Sequence, residues 1–158
     1  MKKILHILVF IAIFGCATTD SSQSTLTFHE KSSKLISKRA VRNLKKLIKA
    51  SGFKIIKVLD YQREARKLGL NLGTYQVITF THAARLSQII ESNPTLGLDL
   101  PLKILLVQDD DGRSKILYND PMELIARHSI TSEVSKEHIQ QISGEFEKIT
   151  SQFSEQRK

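Results

Sequence analysis

The sequence predicts a single α+β domain, an antiparallel sheet with helices on one side, and three observations carry that prediction. Ile36, Ala40, Leu44, Leu47 and Ile48 recur at helical spacing, with Val41 widening the stripe. Short runs rich in β-branched and aromatic residues, FKIIKVLD (Phe53 to Asp60) and TYQVITF (Thr74 to Phe80), alternate with helical stretches. Farther on, two apolar runs flank Asp111-Gly112, a strong hairpin-turn signal.

The elements follow in order. STLTFHEK, Ser24 to Lys31, reads as a first strand. The striped helix comes next, with Ser32 or Ser33 to cap its start and Gly52 to stop it. A strand leads to Asp60, which can cap a short helix ended by Gly69. After the third strand, HAARLSQIIES forms a helix that stops before Asn93-Pro94. Two strands surround the aspartates, and Asp120-Pro121 stops the second and starts a helix. A last helix over about 132–155 carries Ile139, Ile142, Phe146, Ile149 and Phe153 three and four apart. No repeat recurs at a fixed period.

The chain begins MKKILHILVFIAIFGC: two lysines, an apolar run from Ile4 to Phe14, then Gly15-Cys16. A basic flank and an apolar run of that length match a secretory signal, since a spanning helix needs about 20 apolar residues. Ile13-Phe14-Gly15-Cys16 resembles a bacterial lipobox, in which the thiol takes a diacylglycerol before cleavage. The expectation is a lipoprotein: signal peptide over 1–15, lipidation of Cys16, a polar tether over 16–24 and one domain over 25–158. It places the protein in the bacterial cell envelope, facing the periplasm or exterior. Cys16 is the one cysteine, so lipidation leaves no thiol for a disulfide or a metal, and packing alone must hold the core.

Charge is uneven. Without Lys2 and Lys3 the 24 basic side chains become 22 against 16 acidic ones. From Lys31 to Lys49 there is no acid, and Lys34, Lys38, Arg42, Lys45, Lys46 and Lys49 lie on the outer side of the striped helix. That surface suits anionic lipid headgroups. Export and the lack of interleaved aromatics argue against nucleic acid.

Asp109-Asp110-Asp111-Gly112 invites a metal reading, which fails on spacing. With Gly112 at the sixth position of an EF-hand loop, the first is Val107 and the twelfth Tyr118, neither a ligand for calcium there. The expectation is a two-residue turn and no metal. That register sets Gln108 opposite Lys115 and Leu106 opposite Leu117. It leaves Leu105, Val107, Ile116 and Tyr118 together on a second apolar sheet face that needs a cover: a ligand, a dimer mate or an additional helix of the same chain.

DLPLKILLVQDDDG followed by YNDP resembles the signature of domain-of-unknown-function family three hundred and two. The preceding pieces match in order: the helix ending at Gly52-Phe53, a strand, the short helix through Ala65 and Gly69-Leu70, and a strand ending at Phe80. The resemblance implies a curved antiparallel sheet of β-α-β(4)-α order, like one repeat of the TATA-box-binding protein. It also implies dimers and brings no established activity or cofactor.

No HExxH, GxSxG or phosphate-binding glycine loop is present. His82, where a strand feeds a helix, is the one candidate for catalysis. The expected function is a non-catalytic, membrane-anchored binding module. A structural homodimer and an enzyme using His82 stand as alternatives.

Overall fold

A computed structural model describes residues 28–156, so Cys16, the signal and the tether lie outside the described residues. The chain runs β1 (His29–Ser33), α1 (Ser37–Ala50), β2 (Lys54–Asp60), α2 (Tyr61–Lys67), β3 (Tyr75–Thr81), α3 (Ala83–Ser92), β4 (Leu102–Gln108), β5 (Ser114–Tyr118), α4 (Glu123–Arg127) and α5 (Glu133–Ser154), with a 3₁₀ turn at Pro94–Leu98. The strands form one antiparallel sheet in the order β1-β5-β4-β3-β2. This is the expected α+β domain.

Local chemistry sets most boundaries. Asp60 caps α2 by accepting the backbone N–H of Arg63 at 3.0 Å. Gly52, at φ +84°, turns the chain out of α1 in a conformation that costs a side chain its comfort. The start of α1 differs from expectation. Ser32 and Ser33 belong to β1, and Ile36 precedes the helix with no side-chain cap. Ser33 instead accepts the N–H of Leu35 at 3.3 Å.

The core lies between one side of the sheet and the helices. Ala40, Leu44 and Ile48 of α1, Leu86 and Ile89 of α3, and Ile139, Ile142, Phe146, Ile149 and Phe153 of α5 meet Ile78, Phe80, Ile104, Leu106 and Ile116 from the strands. Phe53 meets Phe80 and Phe146 edge-on, and Phe80 and Phe146 pack at a tilt, with ring centroids 5.3–6.1 Å apart. Lys31 of β1 reaches Glu147 of α5, and Arg85 of α3 pairs with Glu145 at 2.6 Å, tying the helix layer together at its rim.

The hairpin corrects the expected register by one residue. The N–H of Asp109 donates to the carbonyl of Arg113 at 2.9 Å, and the N–H of Gly112 donates to the carbonyl of Asp109 at 3.0 Å. Gly112 sits at φ +75°. That is a three-residue loop ending in a left-handed glycine, the bulged alternative to a two-residue turn. Gln108 therefore faces Ser114, Leu106 faces Ile116, and Leu105 faces Leu117. A one-residue slip moves a whole strand to the other side of the sheet. Ile116 and Tyr118 are core residues, 0% and 7% exposed, and do not share a face with Leu105 and Val107. Asp109 accepts the N–H of Arg113 at 2.8 Å and its guanidinium at 3.2 Å, so this carboxylate is spent on the turn.

Candidate functional site

The side of the sheet away from the core is apolar at its centre. Pairings of Val77 with Leu105 and of Leu105 with Leu117 line these three residues across β3, β4 and β5. Val107, Tyr75 and Leu59 continue the patch by the period-two rule. All six are half-buried, neither packed as core nor fully solvated. Tyr61 of α2 meets Tyr75 edge-on at 5.7 Å, so α2 flanks one end of this face.

At the opposite end, where β4 begins and β5 finishes, the face deepens into a groove of about 390 Å³. Val77, Leu105 and Leu117 form its sheet side, Phe28 stands beside them, and Leu124 of α4 closes the far side. Tyr118 and Phe146 reach it from the core, so the groove runs round the end of the strands. Tyr118 is held there by stacking on His29 at 5.5 Å and by a hydroxyl contact to Thr150 at 3.3 Å.

The rim is charged. Arg127 donates to Asp99 at 2.8 Å, and the ring of His128 meets the other Asp99 oxygen at 2.7 Å and Thr95 Oγ1 at 3.1 Å. Burial pushes the Asp99 carboxyl up, but hydrogen bonds from His128 and Arg127 and their charge outweigh it and hold it below the usual carboxylate range. Both ring nitrogens of His128 are engaged, so this cluster braces α4 against the 3₁₀ turn. Glu123 lies 3.5 Å from Arg127, while Lys103 lines the groove and enters no ion pair among the described residues. The arrangement can hold an apolar body beside a rim of mixed charge that includes Lys103 and Asp120.

Of the residues expected at a site, Leu105 lines the groove and Val107 continues the same face, while Tyr118 reaches the groove only from its core side. Ile116 is buried in the core instead. His82 is half-buried and lies outside the groove. Its ring stands edge-on to Phe53 at 5.8 Å and makes no hydrogen bond among the described residues, so no carboxylate orients it. Lys34, Lys38, Arg42, Lys46 and Lys49 are exposed as expected, and Lys45 is half-buried. Sequence reasoning missed Phe28, Val77, Leu117, Asp99 and Arg127, which come from five separate segments. The strand alternation alone could have placed Val77 and Leu117, given the right register.

The sequence profile of the family described as domain of unknown function DUF302 matches residues 29–149. A crystal structure of an uncharacterized conserved DUF302 protein from Bacillus stearothermophilus superposes with a TM-score of 0.69 at 16% identity, covering 80% of this chain and 97% of that one. At that identity the likeness concerns the fold. A protein described as fluoride-specific ion channel FluC 1, from Brucella suis biovar 1, is 30% identical over 82 residues, 52% of this chain and 32% of that one. FluC 2 of Brucella melitensis biotype 1 shares the same identity over 30% of its length. This chain therefore spans about a third of these channels.

Proposed function

The chain belongs to the DUF302 family, and from that premise we propose that it is a lipid-anchored envelope module whose open sheet face binds an apolar or amphipathic small molecule without transforming it. One observation carries the reading. Val77, Leu105 and Leu117 stand half-exposed on three adjacent strands and run into a groove of about 390 Å³. Ligand sites of roughly 300–1,000 Å³ with apolar walls and a few polar groups are the usual form of small-molecule recognition. Taking such a side chain from full exposure to full burial is worth roughly 1.5–3 kcal/mol, and each of these half-buried residues still forgoes part of it. A domain without a disulfide has reason to cover them.

Anchoring is supported by Lys2-Lys3, the short apolar run and Gly15-Cys16. Relatives named as ion channels carry a matching segment, which supports a domain that works beside a membrane.

Anilinonaphthalene sulfonate, an apolar ring system with one anionic group, is a suitable probe. Titration should give a single saturable site whose fluorescence is lost on Leu105→Lys with the melting temperature nearly unchanged. Weak, non-saturable fluorescence that Leu105→Lys leaves as it was would remove the groove from consideration.

A further inference from the structure

The outer side of α1 makes a second surface, across the core from the open sheet face. Ala40, Leu44 and Ile48 bury the inner stripe of α1 against the core, which separates it from the open sheet face. Outward stand Lys38, Arg39, Arg42, Lys46 and Lys49, with half-buried Lys45 at their edge, and no acidic residue lies anywhere in the helix. None of the six enters an ion pair among the described residues, whereas Lys31, Arg85, Arg113, Lys115 and Arg127 all do. Arg42 and Lys46 line both of two shallow depressions on this surface, one floored by Leu35 and Asn43 and the other reaching Lys49 and Ala50.

Unpaired like charges repel one another and persist only at some cost, so their concentration on one helix calls for a counter-charge. We propose that α1 docks flat on an anionic phospholipid bilayer, its cations against headgroup phosphates, so that the groove faces away from the membrane. The chemistry favours lipid over nucleic acid because α1 offers no aromatic ring on which a base could stack. The proposal builds on the anchored reading, since a tether makes a weak surface contact effective by raising local concentration. A planar array of long, flexible basic side chains also matches a bilayer better than a folded protein partner, whose acids would need fixed positions.

Among the described residues every strand and every core residue lies from His29 onward, so a chain starting at Ser24 retains the described domain and removes Cys16 from the experiment. Failure of lipidation and failure of docking are then separate results. This domain should float with vesicles of phosphatidylglycerol and phosphatidylcholine, release as salt rises, and ignore pure phosphatidylcholine. Each Lys or Arg near an anionic surface is worth about fivefold in partitioning, so Arg42→Glu/Lys46→Glu should weaken binding at least about twentyfold. Lys57→Glu/Arg66→Glu changes net charge equally on other surfaces and should weaken it far less. A fluorophore on Lys38→Cys should be quenched by brominated lipid, and one on Leu105→Cys should not. Equal binding to neutral vesicles, equal loss from both charge-reversed pairs, reversed quenching, or displacement from vesicles by a single-stranded oligonucleotide at matched charge would each overturn the proposal.

Discussion

Leu117 and Ile116 are neighbours in sequence with opposite fates, and the contrast rests on one backbone hydrogen bond. Because Asp109 pairs with Arg113, Ile116 enters the core at 0% exposure while Leu117 stays on the open face. Placing an ammonium at Ile116 buries an unpaired charge in the core opposite Leu106, a cost that takes up much of a domain's 5–15 kcal/mol. Ile116→Lys should leave the protein unfolded or insoluble. Leu117→Lys should cost about 1 kcal/mol or less, since its side chain can reach water. Urea denaturation of the two variants checks this, and the two-residue turn would exchange the outcomes. The sequence offers no means of choosing between these registers. Asp-Gly serves either turn, and apolar residues occupy both Ile116 and Leu117, so the period-two pattern that normally fixes a face is silent here.

The elements themselves were far more legible, because each is set by short-range chemistry. The stripe of α1, the cap at Asp60, the glycine at Gly52 and the three-and-four spacing of α5 all lie within a few residues of what they control. The start of α1 was misplaced because a strand hydrogen-bonded to β5 claims Ser32 and Ser33 first, a long-range pairing that overrides a local capping signal. At the hairpin, Gly112 is the residue the bulged turn depends on. An alanine at φ +75° carries roughly 1–2 kcal/mol of left-handed strain, and its Cβ would stand 3.4 Å from the Gln108 amide that donates to the Gly112 carbonyl. Gly112→Ala should lower stability by about that amount in chemical denaturation, while Gly73→Ala, where an added Cβ meets nothing within 4 Å, should not.

At the scale of the molecule, the helix layer separates a basic outer surface from an apolar open sheet face, and function is assigned to that division. The groove was illegible in the sequence because Phe28, Val77, Asp99, Leu117 and Arg127 meet only once five strands are in register. The central claim is that the open face of an anchored protein holds an apolar molecule. Native mass spectrometry of the full-length protein released from membranes tests it most directly. The account predicts a mature chain beginning at Cys16 with a covalent lipid increment, and a second, non-covalent increment retained by wild type and absent from Leu117→Lys. A dimer in place of that second increment, dissociated by the same substitution, would assign the face to another copy of the chain. A monomer carrying no non-covalent mass, with Leu117→Lys indistinguishable from wild type, would contradict the account.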